Sequence, residues 1–487
     1  MEHNLKEKAI SGVVWTGLQK FGTVLLNFVS GIVLARLLTP HDYGIVGMLT
    51  IFLAISNTFI EGGFGSALIQ KQRPTNVDYS TILYWNVGFS LLLYGILFVT
   101  APLIARFYNL PLLTIVLRVQ AVVLIINSAR IVQRSKLRKE LQFKKVAIIN
   151  FLANLLALVF TIILAWKGFG VWALVFQQIF LSFLTTTFYW VVSKWKPILV
   201  FSRKSFHELF SFGGFILLSN LFNTLCNNIQ GLLIGKVYSS STLGLYTKAQ
   251  RTEQISSTLI SSILDQVSYP VLSELQKDRE RMIKVLGSFV CTAAYLTFPF
   301  LLLLVLLAKP IFIILYSERW LSSVPYFQVL CIAGIAMCLQ TINYYAVAAV
   351  GESKELLKWT IVKRSVGLAF VVLGMWFFGI YGLLVGMVIT SWLIYIINAK
   401  VASKYVGYTL KRQFLDLAPI FILSIFSFGV SFSLRWLSIE NMYLDAFAKL
   451  FLFILTYISV SFFFQMNALS TTKSSLFLFI NKIKAKT

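Results

Sequence analysis

Apolar residues run through this chain in blocks of about 20, the length at which a helix crosses a hydrocarbon layer, and short polar, basic or Gly/Pro turns separate the blocks. Spans fall near 11–38, 43–70, 78–105, 110–132, 146–166, 169–193, 209–236, 243–270, 285–308, 321–348, 356–378, 380–400, 414–436 and 444–466. The pattern predicts an all-α polytopic membrane protein of about fourteen transmembrane helices. It also repeats. Laid without gaps over 20–46, the stretch 220–246 matches it: GIVLARLLTPHDYG at 31–44 lies over GLLIGKVYSSSTLG at 231–244, with Gly31 over Gly231, Arg36 over Lys236, Gly44 over Gly244 and Asn27 over Asn227.

Two equivalent hairpins therefore open two halves. KGFGVWALV at 167–175 resembles FFGIYGLLV at 377–385, so the later part of each half repeats as well. The expected organisation is an N-terminal six-helix lobe at 1–193, a linker at 194–208 and a second six-helix lobe at 209–403. Two further helices and a basic tail follow at 404–487. An even number of spans separates the copies, which gives both lobes one orientation. Paired repeats are a recurrent plan of transporters, with the substrate site between them.

Composition agrees: 58% of the 487 residues are apolar and only 13% charged, against about 25% charged in ordinary soluble domains. The net charge of +25 would fit nucleic acid if it were gathered on one soluble face. It is not. With the N-terminus cytoplasmic, 31 of the 43 Lys and Arg fall on cytoplasmic loops and nine on outer ones, seven of the 31 lying at 130–145. That alternation is the positive-inside pattern. It places both termini in the cytoplasm, makes membrane lipids partners of the basic face, and leaves no role for nucleic acid.

The first apolar run is long enough to span and no small-residue cleavage site closes it, so no removable leader is expected. Cys226, Cys291, Cys331 and Cys338 fall inside spans and His3, His41 and His207 are scattered, which supports neither a disulfide framework nor a metal site. No GxxxxGK[ST] loop occurs, so no ATP chemistry is expected and no cofactor either. Catalytic residues are absent from this reading.

Polar side chains inside spans are costly, which makes them candidates for function. Asn220, Asn223, Thr224, Asn227 and Gly231 form one helical stripe, and Lys20, Thr23, Asn27 and Gly31 repeat its placement in the first span. The stripes either glue helices together or line a shared hydrophilic groove. Lys248 and Arg251 sit one turn apart, roughly 9 to 14 Å below the outer end, with Asp265 further along their face and Glu253 pointing elsewhere. They read as a structural pair-forming set or as a cationic wall for an anionic substrate. Lys20 and Glu61 are equally far from the turn at Pro40 and His41, hence at one depth, where a buried ion pair or a coupling function are both open. Gln254, Gln340, Asn343 and Tyr344 could bind sugar hydroxyls or simply pack.

Several segments carry a family resemblance: ARLLTPHDYG at 35–44, FIEGGFGSALIQ at 59–70, APLIARFYNLP at 101–111, LRKELQFKK at 137–145, GFGVWALV at 168–175, FSFGGFILLSNL at 210–221 and GKVYSSSTLGLYTKAQ at 235–250. Together they resemble the Wzx-type polysaccharide flippases of the multidrug/oligosaccharidyl-lipid/polysaccharide exporter superfamily. The resemblance runs from the N-terminus to about residue 330. It implies a V-shaped bundle and alternating access, moving undecaprenyl-diphosphate-linked glycans across a bacterial inner membrane for O-antigen, capsule or exopolysaccharide assembly.

On that reading Lys20, Asn27, Asn220, Asn223, Asn227, Lys248, Arg251, Gln254, Gln340 and Asn343 are substrate-binding candidates. Glu61 and Asp265 are candidates for coupling or gating, with H⁺ or Na⁺ as driving ion and a polysaccharide polymerase as downstream partner. TEQISSTLISSILDQ after Arg251 is more polar than the family leads one to expect. A cation-coupled small-molecule or drug exporter of the same superfamily is the first alternative. A membrane glycan polymerase or ligase is the alternative of another class.

Overall fold

The computed structural model describes residues 2–437 and 439–464, and no β-strand occurs among them. The last residues of the fourteenth expected span and the basic tail lie outside the described residues. Among the described residues ten helices are long and apolar enough to cross a membrane, eleven if one bent pair counts as a single span. The fold is thus all-α and polytopic, while the expected fourteen is not reached by that count. Among the described residues the first helix contributes the apolar stretch Phe21–Leu37, and the expected spans at 356–378 and 380–400 fall in the continuous stretch Lys358–Tyr405.

The chain divides into two compact units, Met1–Thr247 and Lys248–Thr487. The first contains α1 (Glu2–Leu37), α2 (Pro40–Glu61), α3 (Phe64–Gln70), α4 (Asn76–Phe107), α5 (Leu112–Gln120), α6 (Val122–Ser128), α7 (Ile131–Lys139), α8 (Phe143–Trp166), α9 (Val171–Ser193), α10 (Arg203–Val237) and the start of α11 (Ser240–Glu274). Here α1 packs along α8, α8 along α9, and α10 along α2 with further contact to α3 and α4. The packing of α10 on α2 is why the division falls after α10 and not at the linker.

The repeat seen in the sequence reappears as geometry. Helices α1 and α10 end at Leu37 and Val237, and α2 and α11 begin at Pro40 and Ser240, all at one offset. Each new helix is capped by the hydroxyl before it: the Thr39 Oγ1 accepts the Asp42 amide at 3.3 Å and the Ser239 Oγ accepts the Thr242 amide at 3.1 Å. Such caps satisfy amides that the first turn leaves without partners. The two helix starts then cross through their matched glycines. A Cβ on Gly44 would lie 1.7 Å from the Ser240 carbonyl oxygen, and one on Gly244 would lie 1.8 Å from that of Pro40. Only hydrogen fits at either place. Ser240 Oγ and His41 Nδ1 close the crossing at 2.6 Å.

The second unit contains the rest of α11, α12 (Arg279–Leu306), α13 (Ala308–Tyr316), α14 (Val324–Ala349), α15 (Ser353–Tyr405), α16 (Leu410–Phe432) and α17 (Met442–Phe463). Helix α12 packs on α14 and α16, α14 on α15, and α16 on α17. α15 is two helices joined at Gly379, whose φ of 64° and ψ of −147° break the helical path. The expected spans 356–378 and 380–400 are its two arms, and they close through Gly374 and Gly382. In the first unit Gly170 turns into α9 with φ 51° and ψ −127°. These two glycines share a backbone region open to almost no other residue. GVWALV and GIYGLLV therefore correspond from Gly170 and Gly379, one residue away from the register suggested by the sequence.

Gly44→Ala and Gly244→Ala should each lower the melting temperature of the detergent-solubilised protein, with overpacking costing about 1–3 kcal/mol. Gly88→Ala and Gly95→Ala, where an added methyl meets nothing within 4 Å, should leave it unchanged or raised. Equal tolerance at all four would remove the glycine crossing as a constraint.

Candidate functional site

In the first unit α2 ends at Glu61, and Gly62 and Gly63 follow with φ of 48° and 72°. That left-handed pair ends the helix and starts the short α3 at a new angle. Gly63 permits a second close approach, because a Cβ there would lie 2.5 Å from the Gly213 carbonyl oxygen of α10. At Gly213 and Gly214 α10 bends, with 56° between Arg203–Ser211 and Ile216–Val237, as helices do where adjacent glycines weaken the ladder. The three elements converge on α7 and leave a cavity of about 130 Å³.

Three arginines line it: Arg130 at the N-cap of α7, and Arg134 and Arg138 within that helix. Spaced four apart, they stand one above another on a single helix face. Glu61 is the one acid among the lining residues, and Ser66, Ser135 and Asn220 add hydroxyl and amide groups. The Glu61 Oε1 lies 4.0 Å from the Arg134 Nη1 with both side chains partly open to solvent. A pair this long and this wet is weak, and it leaves most of the guanidinium donors unused. The site is therefore cationic and able to receive an anion through several charge-assisted hydrogen bonds.

The neighbouring polar groups are held in place. Lys71 bridges Asp78 at 3.1 Å and Glu208 at 3.0 Å. Although burial is the largest single influence and acts the other way, hydrogen bonds to Glu208 and Asp78 hold its ammonium above the ordinary lysine range. Lys139 caps the end of α3 by donating to the carbonyls of Ile69 and Lys71. Thr58 of α2 meets Thr224 of α10 at 3.0 Å between their hydroxyl oxygens.

Of the residues singled out in the sequence, only Glu61 and Asn220 line this cavity. Asn27 and Asn227 are exposed and Asn223 is half-buried. The side chains of Lys20 and Asp265 lie outside the described part of the molecule. Glu61 is found beside Arg134. In the sequence the three arginines fall among the loop charges at 130–145, because hydropathy ends the span at 132. The helical path continues through α7 to Lys139, and the fourfold spacing of the arginines was the available signal.

In the second unit Arg251 and Gln254 are exposed. Lys248 is buried, its Nζ 3.8 Å from the centre of the Tyr316 ring and 5.6 Å from that of Trp320, which is cation–π geometry. Glu253 is buried too, accepting a hydrogen bond from Ser257. Gln340 is half-buried, and its backbone carbonyl accepts from Asn398 at 2.9 Å; Asn398 also takes the Lys363 ammonium at 2.6 Å. Tyr344 is exposed. Asn343 is enclosed in an amide pair with Gln413, donating at 3.1 Å and accepting at 3.0 Å. Among the described residues no group of His, Cys, Asp or Glu is placed to hold a metal ion.

A profile described as polysaccharide biosynthesis protein matches residues 33–325. The chain belongs to that family. As a polysaccharide biosynthesis protein it is similar to TuaB, the teichuronic acid biosynthesis protein of Bacillus subtilis (strain 168), at 27% identity over 449 residues, covering 90% of this chain and 92% of TuaB. It is also similar to the lipopolysaccharide biosynthesis protein WzxC of Escherichia coli (strain K12), at 23% identity over 88% of each chain. The succinoglycan biosynthesis transport protein ExoT of Rhizobium meliloti (strain 1021) is 26% identical over 72% of this chain and 71% of its own. The resemblance read from the motifs is borne out.

Among solved structures, the fold matches the lipid II flippase MurJ in its inward closed conformation, with TM-score 0.74, 14% identity and coverage of 93% of this chain and 99% of MurJ. It also matches an inward-facing multidrug resistance MATE transporter of the MOP superfamily, with TM-score 0.60, 16% identity and coverage of 79% and 94%. At these identities the likeness concerns the fold.

The amide pair gives a direct test of structural against substrate-binding service in this polysaccharide biosynthesis protein. Asn343→Leu or Gln413→Leu alone strands a buried amide and should destabilise by about 1–3 kcal/mol. The double substitution should recover much of that loss in a thermal melt. If Asn343→Leu abolishes export with its melting temperature unchanged, the residue serves substrate instead.

Proposed function

We propose that this chain is a flippase that carries lipid-diphosphate-linked oligosaccharide from the cytoplasmic to the periplasmic leaflet by alternating access, for assembly of a cell-surface polysaccharide. The arginine-lined cavity carries this reading. Moving such a lipid breaks no covalent bond. It requires groups that replace water around a diphosphate while the lipid tail stays in the bilayer. Arg130, Arg134 and Arg138 offer planar, permanently charged donors on one face of α7. Asn220, Asn223 and Asn227 continue from the cavity along one stripe of α10 over roughly 10 Å, and their amides suit sugar hydroxyls.

Around this centre the finer assignments are proposals as well. The basic loops face the cytoplasm, with both termini, in a bacterial inner membrane. Arg251 and Gln254 offer further polar contacts, and Lys20 and Asn27 repeat the α10 stripe on α1. Glu61 and Asp265 are the acids that could couple transport to H⁺ or Na⁺, and a polysaccharide polymerase would take the product onward. The MATE-like fold keeps a small-molecule exporter in view, but three guanidiniums repel the cationic substrates that such an exporter would drive against H⁺ or Na⁺. A glycan polymerase would need paired acid and base groups at the sugar, and Glu61 is the only carboxylate in this cavity.

Arg134→Ala should reduce polysaccharide export about tenfold or more, the scale of one lost charge-assisted hydrogen bond, at unchanged protein abundance. Arg134→Lys should restore it only in part. In the same cells lipid-linked repeat units should accumulate on the cytoplasmic side. Normal export by the triple variant Arg130→Ala, Arg134→Ala, Arg138→Ala would refute the cavity as the diphosphate site.

A further inference from the structure

The linker between the repeats is clamped to the protein along one side and apolar on the other. Trp195 is buried with Phe64, Tyr79 and Leu209, and its indole Nε1 donates to Asn76 Oδ1 at 3.2 Å. The Ile198 amide donates to the buried Ser80 hydroxyl at 3.0 Å and the Ser202 amide to the buried Thr81 hydroxyl at 3.1 Å. Between these two clips the chain bows outward. Ile198, Leu199, Val200 and Phe201 are all exposed, Leu199 to 94%.

Four exposed cations flank this tip: Lys194 and Lys196 before it, Arg203 and Lys204 after it. No acid occurs in the sequence between Lys194 and Glu208, and the carboxylates of Asp78 and Glu208 are taken by Lys71. Among the described residues none of the four cations has a carboxylate within ion-pair distance. Other exposed apolar tips differ in this respect. Trp166 adjoins the single base Lys167, Trp436 adjoins Arg435, and the Trp376–Phe378 turn has none nearby.

We propose that residues 194–204 form a binding surface for anionic phospholipid, with Ile198 to Phe201 seated at the acyl boundary and the four cations on the headgroup phosphates. Apolar side chains at the interface gain by leaving water, and bases beside them gain from the negative leaflet. Neither half suffices to select anionic lipid, and here one short segment carries both. The clips on Ser80 and Thr81 hold the backbone so that little ordering is needed on contact. The surface also fixes the start of α10 at Arg203, roughly three helical turns before its bend at Gly213, giving that helix a foothold in the leaflet. This inference is independent of what the protein carries.

The full-length Leu199→Cys protein, spin-labelled and placed in nanodiscs, provides the test, with the labelled parent supplying the background of the four native cysteines. In nanodiscs rich in phosphatidylglycerol the label should be relaxed by oxygen and shielded from a water-soluble nickel chelate. In purely phosphatidylcholine nanodiscs, or with Lys194, Lys196, Arg203 and Lys204 all changed to Gln, that shielding should be lost. Nickel access in the anionic nanodiscs would overturn the proposal. So would shielding that persists irrespective of lipid charge, or shielding from both reagents, which means that protein and not lipid covers the tip.

Discussion

Every charged or amide group that this chain carries into the hydrocarbon has to be met by something other than bulk water, and most of the architecture follows from how each is met. Lys248 lies over Tyr316 and Trp320, Lys363 donates to Asn398, and Asn343 exchanges hydrogen bonds with Gln413. Lys71 is shared by two carboxylates. These groups are satisfied within the protein, so they fix helices in register and have little left to offer a substrate. The arginines of α7 are the contrast. Three guanidiniums share one acid, at a distance that makes the pair weak. A surplus of donors on a rigid helix face is what an anion needs from its host.

Close approach of backbones is the second constraint, and it supplies the positions from which those side chains act. Where helix starts cross at Gly44 and Gly244, or where Gly63 meets Gly213, no side chain fits. Small residues at such contacts are what allow packing in a medium with no hydrophobic drive between helices. The crossings also explain why the repeat survives in the sequence as matched glycines and caps more than as matched core residues. Leu, Ile, Val and Phe exchange freely on lipid-facing surfaces, while a glycine under a carbonyl is exchanged only at the cost of pushing the two backbones apart.

This difference decides how much could be read from the chain. The membrane class, the helix positions and the hairpin repeat were legible because span length, turn residues and glycines leave strong local signals. Glu61 and Asn220 were legible as costly polar residues inside spans. Arg130, Arg134 and Arg138 were not, because hydropathy ends a span where charge begins, although the helix itself does not stop there. The kind of satisfaction was equally hidden: Asn343 and Gln340 look alike in sequence, and only the fold shows that Gln413 comes within reach of one of them. The polar run after Arg251 stood out, and the structure accounts for part of it by placing Thr252 against Tyr316 and Ser257 against Glu253.

If the cavity holds the diphosphate as proposed, the weak Glu61–Arg134 pair also sets what it can do over a transport cycle. A site that held its anion by a fully buried, fully paired network would bind tightly in one state and release slowly in the next. On the proposed function, the guanidiniums stay solvated enough that an arriving phosphate would replace water and one loose carboxylate, and leaving would require only that these return. A carrier needs binding strong enough to select its cargo and shallow enough to let it go. Partial exposure of the arginines and their stacking along one short helix would together meet both demands for the proposed cargo, because each contact is individually replaceable while their number favours a multiply charged anion.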